Sequence, residues 1–322
     1  MFTNKDLRSR TIFVINCIEK RQLRVSNGEL LLEDSVNEKI LTKMPFQKIL
    51  ALFVIGHISI TTPLIDKCKR YGVALVVFKP NLRPVFFWAD TAEANYLLRQ
   101  RQHHMSTEDL SIAKVLVANK IKNQHKALCN TRQKNEAIEA AKTSCTEALD
   151  RVARCEEYED LMGTEGIVSR MFFRAYFERQ GWTHRKPRAK IDALNATLDI
   201  GYTILFNYME AFVRMFGFDL YVGVYHRLWF KRKSLVCDLI EPFRCIIDST
   251  VRKAFNTKQC NADDFNVVKH EYILKRENNQ AYQRMFYDAL IARKMEFFIY
   301  VQTYYRCFMQ RKSAPNYPQF IY

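Results

Sequence analysis

Three short stretches of this 322-residue chain hold the side chains best suited to chemistry. The first is Met162-Gly163-Thr164-Glu165-Gly166-Ile167-Val168-Ser169-Arg170. Glu165 is expected at a helix start, where the backbone dipoles favour a carboxylate, and the flanking glycines leave room for close approach. The second is Gly217-Phe218-Asp219-Leu220-Tyr221-Val222-Gly223-Val224-Tyr225-His226. Its glycines and aromatics show no helical period, which places His226 on a loop. The third is Ser234-Leu235-Val236-Cys237-Asp238-Leu239-Ile240-Glu241-Pro242-Phe243-Arg244. Ser234 is expected to cap a helix. Asp238 and Glu241, three residues apart, should project from one face. Leu235, Leu239 and Phe243 should face the core, and Pro242 should kink the helix.

Each stretch has an ordinary explanation when taken alone. Glu165 could be a helix-dipole acid and His226 a hydrogen-bonded structural histidine. The Asp238/Glu241 pair is different, because two buried like charges are costly unless a cation lies between them. Taken together, two carboxylates and an imidazole suit Mg²⁺ or Mn²⁺, which prefer oxygen ligands and keep open positions. Such an ion polarises a phosphodiester, activates water or a 3′-hydroxyl, and neutralises charge as the bond breaks. Glu165 and His226 are 61 residues apart (226 − 165), and Glu241 follows His226 by 15 (241 − 226). Only packed helices can bring them together.

The elements that would position these groups are of two kinds. Residues 1–91 read as a small β-rich domain, and residues 92–322 as a larger all-helical catalytic domain. In the first part Thr11–Ile15, Lys48–Gly56, Val73–Phe78 and Pro84–Trp88 are strand-like, and Thr62 begins a short helix ending near Gly72. Asn27-Gly28 between two apolar runs predicts a tight hairpin. In the second part helical periodicity covers 92–104, 107–129, 134–160, 164–180, 191–216, 234–256 and 269–311, followed by an extended tail from Arg311. The fold class is therefore α+β.

Fifty Lys and Arg against 34 Asp and Glu give a net charge of +16, which points to a polyanionic partner, nucleic acid before membrane. No apolar run reaches the roughly 20 residues a membrane span needs, so no membrane association is expected. Nine scattered cysteines without a C-x-x-C motif fit a reducing, cytoplasmic setting better than a disulfide framework or zinc site. Basic residues crowd the three stretches: Arg170, Arg174 and Arg188, then Lys231, Arg232 and Lys233, then Arg244. With Trp182, His184 and Trp229 among them, they are the candidates for holding DNA phosphates and stacking on single-stranded ends. Arg244 could instead pair with Glu241 or Asp248. His103 and His104 point different ways on a helix, and they, His57, His125 and His270 read as structural or surface groups.

The order of these motifs resembles the CRISPR-associated integrase numbered first among the Cas proteins. The resemblance rests on Glu165-Gly166, on Gly217-Phe218-Asp219-x-Tyr221-x-Gly223-x-x-His226, and on Ser234-Leu235-x-x-Asp238-Leu239-x-Glu241-Pro242-Phe243-Arg244. Asn195-x-x-Leu198-x-x-x-Tyr202 and the strands around Gly56 extend it over most of the chain. Leu220 stands where proline is common, Cys237 where a small apolar residue is usual, and Glu241 where some members carry Asp. The resemblance implies that Glu165, His226 and Glu241 bind Mg²⁺ or Mn²⁺, with Asp238 as an accessory acid. It further implies joining of 3′-hydroxyl ends of prespacer DNA to a CRISPR repeat, with endonuclease and disintegration activity. A homodimer through the β-domain and a small companion, the Cas protein numbered second, would complete the complex. No nucleotide-binding G-x-x-x-x-G-K-[ST] loop occurs, as suits phosphoryl exchange without nucleotide energy.

Overall fold

The computed structural model describes residues 9–17, 20–37, 39–89, 92, 94–105, 109–132 and 134–322. Its N-terminal part holds two sheets. β1 (Thr11–Cys17), β5 (Ile49–Gly56), β6 (Ala74–Phe78) and β7 (Pro84–Trp88) form one, in the order β1-β5-β6-β7, with β7 antiparallel. β2 (Arg21–Ser26), β3 (Glu29–Asp34) and β4 (Ile40–Pro45) form the other. The expected hairpin is present: Ser26 pairs with Glu29 across Asn27 and Gly28, both at positive φ. α1 (Thr62–Tyr71) ends on left-handed Gly72. β4 was not expected; its residues are mostly exposed and lack apolar alternation.

β5 explains how the two parts join. Its side chains alternate between two cores, Phe53 and Ile55 facing the helices and Leu52 and Val54 facing α1 and the second sheet. A strand covered on both faces reads as a continuous apolar run. Phe53 meets Phe78, Tyr208 and Phe212 edge-on. One apolar core thus runs from the sheet into the helical part. The expected 91/92 boundary falls at residue 91, outside the described residues; β7 ends at Trp88 and the next helix starts at Tyr96.

The helical part contains α2 (Tyr96–His103), α3 (Ser111–Cys129), α4 (Glu136–Arg154), α5 (Tyr158–Tyr176), α6 (Ala193–Met215), α7 (Ser234–Ile240) and α8 (Arg244–Asn256). The hairpin β8 (Phe265–Val268) and β9 (Glu271–Leu274) follows, then α9 (Asn279–Ile291) and α10 (Lys294–Met309). α6 is apolar nearly all round and central, as a helix buried on every side must be. Its start is fixed by Asp192, whose carboxylate accepts the Asn195 N–H at 2.6 Å.

Several expectations are corrected. The segment 269–311 is not one helix, because the β8–β9 hairpin and a break at Ala292–Arg293 divide it. The tail is not free: Phe320 exchanges two hydrogen bonds with Asn119 of α3, and its ring stacks 4.2 Å from Phe243. Ser234 is not the cap of α7. Its hydroxyl donates to the Arg227 carbonyl, and Lys233 takes the cap position.

Candidate active site

Glu165 lies inside α5, seven residues past its start, rather than at a helix terminus. Gly163 and Gly166 suggested a break, but Leu161, Val168, Phe172 and Ala175 bury one continuous face and carry the helix through. A side chain at either glycine would meet open space, so the surface beside Glu165 is clear.

The surprise of the site is Lys120 on α3. Its ammonium bonds both to Glu165 Oε1 and, at 2.7 Å, to Glu241 Oε2. Its side chain is only 8% exposed and that of Glu241 3%. Burial opposes the Lys120 charge, but Glu165 and Glu241 outweigh it and raise the pKa. Sequence reasoning missed this residue. A signal existed: Lys120 follows Leu116 by four and Val117 by three, so it sits on the buried face of a helix where a lone charge needs partners.

Glu241 caps this cluster from the short 3₁₀ turn that Pro242 introduces after α7. Arg244 grips it in a fork, Nε to Oε2 and Nη2 to Oε1, both 2.8 Å. Burial by itself would raise the Glu241 pKa; Arg244, Lys120 and His226 reverse this and hold it well below the usual carboxylate range. Arg244 also lies 4.8 Å over the Tyr202 ring. Tyr202, one of the family-like residues of α6, donates its hydroxyl to Asp248. Burial lifts Asp248 to about 7.

Asp238, the acid implied as accessory, is turned to the loop rather than to Glu241. It is fully buried and accepts the backbone N–H groups of Val224 (2.6 Å), Tyr225 (3.1 Å) and His226 (2.8 Å). The same carboxylate meets His226 Nδ1 at 2.7 Å. That bond orients the ring and leaves Nε2 as the other nitrogen. Gly223 is needed here, since a Cβ would come within 2.5 Å of Asp238 Oδ2. The loop is anchored at its other end by Asp219 and Gln102, which exchange the Asp219 N–H and carbonyl with the Gln102 amide. Tyr225, also missed, donates its hydroxyl to Glu165 Oε2 at 2.7 Å and so ties the loop to α5.

Among the described residues no three acidic, imidazole or thiol groups converge closely enough to hold an ion as the side chains stand. The donor types nevertheless fit a hard divalent cation. Glu165 and Glu241 are already drawn to one cationic atom, the Lys120 ammonium, and His226 is near enough to help keep Glu241 ionised. Lys120 therefore stands where a cation between these carboxylates would stand, and would have to withdraw for one to enter.

Beside His226 opens a cleft of about 1320 Å³, lined by Tyr158, Tyr225, His226 and Arg227 among others. His103 and His104 both line it, contrary to the expectation that they face apart, because α2 ends at His103 and the chain turns there. His103 pairs with Asp219 at 3.1 Å. Of the candidate phosphate-holding residues, Arg170, Arg174, Arg188, Lys231 and Arg232 are exposed. Two are engaged internally: Lys233 with buried Glu210 at 2.6 Å, and Arg244 with Glu241. Trp182 is stacked against Phe173 and Phe177, which makes it part of the packing.

The family described as "CRISPR associated protein Cas1" matches residues 17–287. A protein of Thermodesulfovibrio yellowstonii named CRISPR-associated endonuclease Cas1 1 is 27% identical over 233 residues, 69% of this chain and 73% of its own. A Thermus thermophilus protein of the same name is 26% identical over 276 residues, 84% of each. Among solved structures, a chain of a partial Cas6-RT-Cas1–Cas2 complex superposes with a TM-score of 0.80 at 17% identity, covering 97% of this chain and 99% of that one. A casposase bound to integration product gives 0.67, also at 17% identity, covering 94% and 96%. The likeness of fold defines a class of two-part proteins, a β-rich N-terminal region followed by a helical one. With the family match spanning most of its length, the chain belongs to the CRISPR-associated protein Cas1 family.

Proposed function

We propose that this protein is a metal-dependent DNA integrase of CRISPR adaptation, which joins the 3′-hydroxyl ends of prespacer DNA to a CRISPR repeat. The observation that carries this reading is the gathering of Glu165 and Glu241, from elements 76 residues apart (241 − 165), around one cationic atom beside His226. In this reading Glu165, Glu241 and His226 hold Mg²⁺ or Mn²⁺. When bound, that ion polarises the phosphate and eases deprotonation of the attacking hydroxyl.

The chain's own residues do the positioning. Asp238 fixes the tautomer and angle of His226. Arg244 and Tyr225 orient the carboxylates of Glu241 and Glu165. Exposed Arg170, Arg174, Arg188, Lys231 and Arg232 hold phosphates on the flanks. In joining, the 3′-oxygen forms a new P–O bond as the P–O bond within the repeat strand breaks, the hydroxyl proton passing to the departing oxygen through solvent. Bond number is conserved, so no nucleotide is consumed. The reverse reaction resolves branched DNA, and water in place of the hydroxyl gives endonuclease cleavage.

The titles of the fold neighbours, an integration product in one and a Cas1–Cas2 complex in another, support this reading. The second title also supports a Cas2 companion, and in this reading two homodimers, each built through the β-rich part, are bridged by it. Exposed Val36, Ile40, Leu41, Val85 and Phe86 in the β-rich part suit a subunit contact. Among the described residues no helix is long and apolar enough to cross a membrane, and the cytoplasm, where repeat DNA resides, is the proposed location. The name endonuclease carried by the curated relatives favours a second reading, cleavage of branched DNA without joining.

A strand-transfer assay decides between them. A repeat-bearing plasmid, labelled fragment DNA, the Cas2 companion and Mg²⁺ or Mn²⁺ should yield covalently joined product that chelator abolishes. Cleavage without joining would establish the nuclease instead, and binding without any chemistry would leave a DNA-binding scaffold.

A further inference from the structure

The chain enters its helical part through α2, and three side chains of that entry share one helix face: Asn95, Arg99 and Gln102, spaced by four and three (99 − 95, 102 − 99). All three reach the backbone of the loop that ends in His226. The Asn95 amide donates to the Phe216 carbonyl at 3.0 Å, and the Arg99 guanidinium to the Gly217 carbonyl at 3.3 Å. Gln102 is only 2% exposed and uses its whole amide. Its Nε2 donates to the carbonyls of Asp219 (3.0 Å) and Val222 (3.2 Å), and its Oε1 accepts the Asp219 N–H at 2.8 Å. Gly217 seals the contact: its φ is +80°, and a Cβ there would come within 2.4 Å of the Ala92 carbonyl.

Gln102 stands one turn beyond fully buried Leu98, on the apolar face of α2. An amide there is costly unless every bond is made, and an apolar side chain would serve packing alone. What the amide adds is a fixed loop. Gln102 holds Val222 and Asp238 holds Val224, so the two grips are separated by Gly223 alone, and Asp238 also holds the His226 ring. Glycine resists rotation least, so a loop held only by Asp238 can pivot at Gly223. The angle at which 224–226 approach Asp238 is therefore set by where Gln102 puts 219–222. Loss of Gln102 would not detach the loop, because the Leu235 N–H still bonds the Leu220 carbonyl at 3.0 Å. It would turn the loop, and His226 with it.

We propose that Gln102 is a positioning residue for strand joining, acting through the 219–222 backbone to aim the His226 imidazole. This rests on the proposed reading of His226 as part of the cation site, and it places one determinant of that site on the helix that follows the β-rich part.

The test is Gln102→Met, which keeps the length of the side chain and removes its hydrogen bonds. In protein labelled with ¹³C-histidine, the His226 ring signal, identified by its absence from His226→Ala, should shift in the variant. Amide exchange at Asp219 should rise. Joining should lose about tenfold in kcat, the lower end of what loss of an outer partner costs, with KM for DNA unchanged because so buried a side chain offers DNA little to hold. Gln102→Glu, which in this buried place takes up a proton and keeps one donor and one acceptor, should fall between wild type and Gln102→Met. Combined with Asp238→Ala, the loss should be smaller than the product of the single losses, since both act on one ring. An unshifted His226 signal overturns the proposal, as does a full product of losses or a raised KM at unchanged kcat. Where circular dichroism shows Gln102→Met unfolded, Gln102→Glu carries the same comparison. Wild type that joins no DNA sinks the proposed function, while the ring signal still decides whether Gln102 aims His226.

Discussion

Glu241→Gln is expected to lower strand joining by on the order of 10³-fold or more, because it removes one of two carboxylates that share a cation and the charge that a metal would neutralise. The amide keeps the shape of the side chain, so the packing around Pro242 and Phe243 should survive. What changes is charge. Arg244 keeps at most one arm of its fork, to the amide oxygen, and Lys120 keeps only Glu165 as a charged partner. Breaking a buried ion pair from one side costs about 3–5 kcal/mol, less here because Arg244 is partly exposed and can turn to water. The midpoint of thermal unfolding should therefore fall, while circular dichroism at the assay temperature still shows a folded protein. The pH dependence has a definite sign. Glu241 is held ionised in the fold, well below its ordinary value of 4.5. It therefore stabilises the fold above that value, and the stabilisation is lost as pH drops further. Wild type should lose more stability than Glu241→Gln on acidification below about pH 4.5. Joining at wild-type rate in the glutamine variant would remove Glu241 from the site.

Asp238→Ala is expected to act through the loop rather than on the phosphate. It strips the acceptor from three backbone N–H groups and from the His226 ring. Each buried donor left unpaired costs about 1–3 kcal/mol, so the loop between Gly217 and Lys233 should loosen as a unit. Amide exchange at Val224, Tyr225 and His226 should rise sharply, and joining should fall by about 10–100-fold as the imidazole loses its orientation. Asp238→Asn keeps one carbonyl oxygen and should recover part of the protection. Unchanged exchange at those three amides would show that the loop does not depend on Asp238.

How much of this was legible in the chain follows from where each signal was stored. Local signals were readable. Asn27-Gly28 announced its hairpin, Pro242 its kink, and the continuous apolar run of 49–55 its strand. The acids and His226 stood out because their neighbours were unusual. Signals that depend on tertiary packing were not readable. Glycines beside Glu165 imitate a helix end, and only the burial of Leu161 and Val168 on one face with Phe172 shows that α5 runs through. The tail beyond Arg311 carries prolines that suggest freedom, whereas Asn119 and Asn123, some 200 residues earlier, supply the bonds that seat it. Asp238 and Glu241 share a face by spacing, yet the first is turned to the loop's backbone and the second to α3. Lys120 lies in a different element from every motif, and its partners are visible only when α3, α5 and the 3₁₀ turn are seen together.

The central claim is that Glu165, Glu241 and His226 form one cation site for which Lys120 is the resident stand-in. Titration of the purified protein with Mn²⁺, with the free ion counted by electron paramagnetic resonance, tests it without recourse to activity. Wild type should bind Mn²⁺ at one saturable site. Glu241→Gln should lose that site, and Lys120→Met, which removes the competing ammonium at similar volume, should bind more tightly. Equal Mn²⁺ binding by wild type and Glu241→Gln would contradict the account, as would weaker binding by Lys120→Met.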